Sequence, residues 1–162
     1  MILSAFTLFH VLLSLAGIIS GFVVAFGLLT ARRLEGWTAV FLWTTVATSA
    51  TGFLFPFHRF LPSHAVGIVS LIVLAVALYA RYKRQLAGAW QRTYVVTAMI
   101  AFYLNVFVLV AQLFMKVPAL KVLAPTQSEP PFKVTQLVVL AIFIVLGVFA
   151  TLRFRNEQLR TT

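Results

Sequence analysis

The stretch Ile2–Ala31, ILSAFTLFHVLLSLAGIISGFVVAFGLLTA, runs for thirty residues without an acid, a lysine or an arginine. About 20 apolar residues at 1.5 Å per residue cross the ~30 Å of hydrocarbon in a bilayer. The run is therefore long enough to span a membrane, and it sets the reading of the remaining chain. Four further apolar runs, at 37–57, 64–82, 93–115 and 134–154, fill most of that remainder. The expectation is an all-α integral membrane bundle of five transmembrane helices, a single domain over residues 1–162.

Composition agrees. The chain is 62% hydrophobic and 10% charged, with a mean hydropathy of +1.02, where a soluble domain carries about 25% charge. The formal net charge of +10 sets 13 lysines and arginines against Glu35, Glu129 and Glu157. The basic residues fall between the runs, so they read as topology signals and contacts to anionic lipid headgroups, and nucleic acid is not an expected partner. The absence of cysteine excludes disulfides, thiolate metal sites and iron–sulfur clusters on this chain. Met1–Ile2–Leu3 has no basic segment before the apolar run, so the first span is expected to be retained and not cleaved as a signal peptide.

The loops orient the spans. Arg32, Arg33, Arg81, Lys83, Arg84, Arg92, Arg153, Arg155 and Arg160 fall on one side, and Arg59, Lys116, Lys121 and Lys133 on the other. Nine against four places the N-terminus outside and the C-terminus in the cytoplasm. Leu34–Glu35–Gly36 reads as a tight turn with Trp37 as an interfacial anchor. Tyr79, Tyr82, Trp90 and Tyr94 read as an aromatic belt around the third loop. Pro56 and Pro62 bracket a short outer turn. The segment 116–133 holds four of the six prolines and no glycine, and is expected to be an ordered outer loop with a half-turn at 119–123. Glu129 there has Lys116, Lys121, Lys133 and Arg59 as expected partners, and the loop would serve as a lid or a docking surface. No internal repeat supports an inverted-repeat transporter.

Lipid gives no hydrophobic force between helices, so interfaces collect small and polar residues. Thr7, His10, Ser14, Gly17, Gly21 and Ala25 share one stripe, with Gly17 and Gly21 as a GxxxG pair, and this turns His10 toward the bundle interior. A second stripe carries Tyr94, Ala98, Ala101, Asn105, Gln112 and Lys116. Asn105 lies near mid-membrane, where an unpaired amide is costly. The second run contributes Thr44, Thr48, Thr51 and His58, with Thr45, Ser49 and Gly52 beside them. His10, His58, His64, Gln112, Lys116 and Gln136 all fall in the outer half, and the inner half is expected to be aliphatic and small. A site, if present, opens outward.

Two chemistries suit that set. His10 with His64 or His58 could supply two axial ligands to a haem b. Alternatively, His10, Asn105, Gln112, Lys116 and Gln136 could hydrogen-bond a quinone or similar lipidic ligand in a pocket walled by Phe53, Phe55, Phe57 and Phe114. No carboxylate lies in a span, which disfavours a proton relay, and no HExxH-type or Ser–base arrangement supports a stand-alone enzyme. The alternative is an accessory or assembly subunit that meets a membrane-protein partner, or a second copy, along its small-residue seams. A small transporter comes third.

The segments Phe9–Ser14, Thr51–Pro56, Tyr103–Phe107 and Ala124–Pro131 together resemble a group of small polytopic bacterial inner-membrane proteins. That resemblance implies a multi-pass protein of the bacterial inner membrane and no assigned activity.

Overall fold

Hydroxyl-bearing and apolar residues at helical spacing give helices along almost the whole chain. The computed structural model describes residues 1–160, with side chains through Phe154. The side chains of Arg155, Glu157 and Arg160, which belong to the charge pattern of the sequence, lie outside the described residues. The helices are α1 (Ile2–Leu29), α2 (Glu35–Gly52), α3 (Pro62–Leu78), α4 (Ala89–Lys116), the short α5 (Pro118–Leu123) and α6 (Pro130–Arg160). A π-helical segment, Tyr79–Lys83, extends α3. Pro62 and Pro118 begin α3 and α5, where a missing N–H costs nothing.

Four helices are long and apolar enough to cross a membrane: Ile2–Leu29, Pro62–Lys83, Ala89–Lys116 and Pro130–Phe154. α2 is not among them. Its expected span ran to residue 57, but the helix stops at Gly52. Pro56 disfavours helical backbone at Phe55. Six hydroxyl residues, Thr38, Thr44, Thr45, Thr48, Ser49 and Thr51, also make α2 less apolar than its neighbours.

The pairings α1–α2, α2–α3, α3–α4, α4–α6 and α6–α1 close a ring, and α4 also reaches across to α1 and α2. One end of the ring carries Met1, the α2–α3 turn and α5. The other, here the basic end, carries the α1–α2 and α3–α4 turns. Packing is uneven along this axis. The core cluster of Val24, Leu28, Phe41, Leu42, Leu74, Tyr94, Val95, Met99 and Phe102 lies toward the basic end. Near the α5 end, α1 before Gly17 and α4 from Tyr103 to Leu113 have no buried residue.

Gly21 decides how closely α1 and α4 approach. A Cβ there would lie 2.5 Å from Phe102 Cδ2, so only glycine lets the ring rest on the α1 backbone. Phe102 in turn meets Phe22, Phe143 and Phe41 edge-on, at centroid distances of 4.9, 5.1 and 6.2 Å.

Candidate functional site

Most helical hydroxyls here satisfy themselves. Thr7, Ser14, Ser20, Thr30, Thr44, Thr97, Thr135 and Thr151 each donate to the carbonyl four residues earlier. On α2, Thr45 and Thr51 also meet side chains of α4 and α1, and they define a polar seam between these three helices.

At the seam's deep end, Asn105 Nδ2 donates to Thr45 Oγ1 at 3.1 Å, and Thr45 is fully buried. Gly17 of α1 closes this contact, since a Cβ there would stand 3.2 Å from Thr45 Oγ1 and 3.5 Å from Asn105 Nδ2. Toward the α5 end, His10 Nδ1 lies 2.8 Å from Thr51 Oγ1. Thr51 has one hydroxyl hydrogen, and it is directed at Ala47 O, 2.7 Å away. With the Thr51 hydrogen on Ala47 O, His10 would donate through Nδ1–H and its Nε2 would be an acceptor; the donor in this bond is set by the imidazole tautomer. Phe55 meets the imidazole edge-to-face at a centroid distance of 5.0 Å, and Phe6 packs on Phe55 at a tilt of 52°. One turn from each of these bonds, on the same face of α2, the buried Thr48 hydroxyl has no hydrogen-bond partner. The seam thus carries an unpartnered hydroxyl on α2 between its two interhelical hydrogen bonds.

The remaining expected site residues are scattered. Gln136 is buried, its Nε2 donating to Phe107 O at 3.1 Å while Oε1 is left without a partner. Gln112 and Lys116 are exposed, as is His58. His64 is buried. Its Nδ1 accepts the Leu61 N–H at 2.9 Å, and Phe53, Phe57 and Phe60 surround the ring at 5.6, 4.2 and 5.6 Å. No ring contact joins His10 to His58 or His64 among the described residues. Nor does any cluster of three His, Cys, Asp or Glu side chains occur there. The structure therefore brings His10 and Asn105 onto one seam and leaves the other two histidines elsewhere.

Two expectations about charge are corrected. Glu129 pairs with none of Lys116, Lys121, Lys133 or Arg59. Its Oε1 accepts from the Thr126 hydroxyl (2.7 Å) and amide (3.2 Å), and its Oε2 from the Ser128 amide (3.1 Å). The Thr126 hydroxyl bond is the main cause that holds its carboxyl below the ordinary glutamate range. Short local partners win over long lysine side chains because little side-chain entropy is lost. Gln127 Nε2 bonds Ala111 O at 2.6 Å and ties this loop back to α4.

The second correction concerns the basic end, expected to be aliphatic and small inside. Arg81 is buried there, its side chain 5% exposed, and it forms an ion pair with Glu35, whose side chain is 68% exposed. The guanidinium also lies over Tyr94 and Tyr82, at 5.4 and 5.8 Å. Tyr94 is buried, so it is no part of an interfacial belt, and its hydroxyl has no hydrogen-bond partner there. Arg84 sits over Trp90 at 5.2 Å. The π-helical turn explains how a loop arginine arrives inside: hydrogen bonding to the fifth residue back widens the last turn of the helix. Sequence reasoning missed this pin because Arg81 reads as one loop charge among several. The signal was the acid Glu35 and four aromatic rings amid the basic residues of that end.

No family model, curated protein or solved structure matches this chain.

Proposed function

We propose that this chain is a five-span membrane protein that binds a lipidic molecule with a hydrogen-bonding headgroup, of the quinone or quinol class, at the α5 end of the α1–α2–α4 seam. The observation that carries this reading is the buried, unpartnered Thr48 hydroxyl, one helical turn from the Thr51 hydroxyl that His10 Nδ1 contacts. A quinone carbonyl would accept from Thr48 and a quinol hydroxyl would donate to His10. The loosely packed helices around them leave apolar walls for the ring and tail. Haem b fits less well, because His64 would first have to leave its three phenylalanines and its bond to Leu61.

Counting α2 as a fifth span rests on register. His10 meets Thr51, Gly17 meets Thr44 and Thr45, and Gly27 meets Leu34, so α2 runs antiparallel to α1 through the same depth. Its 18 residues give about 27 Å. For orientation, Arg81 no longer counts as a loop charge. Arg32, Arg33, Lys83, Arg84, Arg92 and Arg153 still outnumber Arg59, Lys116, Lys121 and Lys133, which favours the N-terminus outside and the C-terminus in the cytoplasm. A bacterial inner membrane is the proposed location.

The test is quinone retention. Protein purified in mild detergent from quinone-containing membranes is extracted with solvent, and bound quinone is quantified by ultraviolet absorbance. Retention in the parent, lost in both Thr48→Val and His10→Leu, supports the reading. Equal quinone content in all three proteins overturns it, as does none in a quinone-supplemented parent. Seam mutants that instead lose a co-purifying membrane protein favour the accessory-subunit alternative.

A further inference from the structure

On the opposite side of α4 from Asn105, α4 and α6 enclose a groove of about 560 Å3. Its size falls within the roughly 300–1,000 Å3 of small-molecule sites. Met99, Tyr103, Phe143 and Gly147 help line it, Thr151 stands near one end, and the exposed Arg92 is its single charged residue. The polarity is graded along its length. Arg92 and Thr151 lie at the basic end, while Tyr103, packed on Phe143 and Phe107, closes the other. From Arg92 to Tyr103 along α4 is roughly 16 Å, close to the ~15 Å depth of one leaflet's hydrocarbon. The floor is open at Gly147, where a Cβ would meet nothing within 4 Å.

We propose that this groove is a binding site for one anionic phospholipid of the leaflet at the basic end, with an acyl chain lying along Met99 and Gly147 and the phosphate on Arg92. Charge identifies the occupant. A second copy of this chain would bring more positive charge to Arg92, since the net charge is +10. An anionic lipid brings the opposite charge together with an apolar tail of matching reach. The site goes beyond the quinone reading and uses a different face of α4, although both rest on the chain spanning a membrane.

The experiment is native mass spectrometry of the purified full chain, delipidated in detergent and titrated separately with phosphatidylglycerol and phosphatidylcholine. The parent should bind one phosphatidylglycerol in preference to phosphatidylcholine. Arg92→Gln should lower that preference about fivefold, the worth of one basic residue at an anionic surface. Gly147→Leu, which fills open space without a clash, should remove the bound lipid of either kind. Lys121→Gln, at the other end, and His10→Leu should leave lipid binding unchanged. The proposal is overturned if Gly147→Leu binds phosphatidylglycerol as the parent does, or if Arg92→Gln keeps the full preference. It is equally overturned if the delipidated parent dimerises through this groove and Gly147→Leu abolishes the dimer.

Discussion

The two ends of this bundle bury polar groups in different ways. At the basic end, Arg81 meets a carboxylate and two aromatic faces inside a packed shell of Leu74, Tyr94 and Phe102, and the polar atoms left without a hydrogen-bond partner there, Arg81 Nε and the Tyr94 hydroxyl, are closed in by that packing. At the α5 end, His10, Thr48 and Gln136 sit among half-exposed helices, and each has a polar atom that bonds to nothing in the protein. The first arrangement fixes helices to one another. In the second, looser packing leaves room for a visitor beside the unpartnered atoms, which is the usual trade of stability for function. The contrast is open to attack from either end.

The largest effect should come from the packed half. Phe102→Ala empties the space between Gly21, Phe22 and Phe143, and should cost about 3–5 kcal/mol. Phe9→Ala, on a ring 54% exposed near the other end, should change stability by less than about 0.5 kcal/mol. Thermal unfolding in detergent compares them. Equal losses would mean that the α5 half is as tightly held as the core.

Arg81 and Glu35 form one pair, yet they should respond unequally. Arg81→Ala removes the buried guanidinium, its stem and two aromatic contacts, for a loss of about 2 kcal/mol. Glu35→Gln changes a group that is largely in solvent and leaves the aromatic contacts in place, so about 1 kcal/mol or less is expected. If Glu35→Gln proved the costlier, the carboxylate rather than the tyrosine faces would be what holds Arg81 inside. The same two variants, melted in high salt, should converge only slightly, because a buried guanidinium is poorly screened.

The seam reverses the sign. Thr48→Val replaces a buried hydroxyl that has no partner with a methyl of the same shape, so the ligand-free protein should gain on the order of 1 kcal/mol while quinone retention falls. Thr45→Val, three residues away, takes the acceptor from Asn105 and should lose about 1 kcal/mol or more. Opposite signs from neighbouring threonines would separate a structural hydroxyl from a binding one. A loss in both would mean that Thr48 is already satisfied.

These differences also mark where sequence reading reaches its limit. Small and polar residues at three- and four-residue steps placed His10, Gly17, Thr45 and Asn105 on facing stripes, because helix geometry alone relates those positions. Helix spacing cannot reveal a π-turn, so the spacing of Tyr79–Ala–Arg–Tyr82 did not indicate that Arg81 points inward. Nor does spacing say which of two nearby partners a carboxylate takes, and Glu129 chose Thr126 and Ser128 over four basic residues. The α2 boundary shifted for a related reason: Pro56 acts on the residue before it, and the apolar pattern runs on past the point where the helix ends.

The smallest effect belongs to Glu129, and pH gives its direction. Its carboxyl titrates below the ordinary glutamate range, chiefly because the Thr126 hydroxyl bonds the ionised form. A depressed folded value contributes stability that is fully present above the unfolded pKa and is lost as the pH falls through the folded one. The group is fully exposed, so the effect should be local to the Thr126–Lys133 turn and not global. Amide exchange at Ser128, whose N–H bonds Glu129 Oε2, should be protected near neutral pH. That protection, measured against the intrinsic rate at each pH, should fall away in acid at a pH below the ordinary glutamate value. Glu129→Gln should leave it weak and independent of pH, with unfolding of the helices unaffected. A Ser128 protection factor that does not vary with pH in the parent would mean that backbone geometry, not the carboxylate, orders the start of α6. The loop would then owe its shape to its four prolines and to the anchor of Gln127 on Ala111.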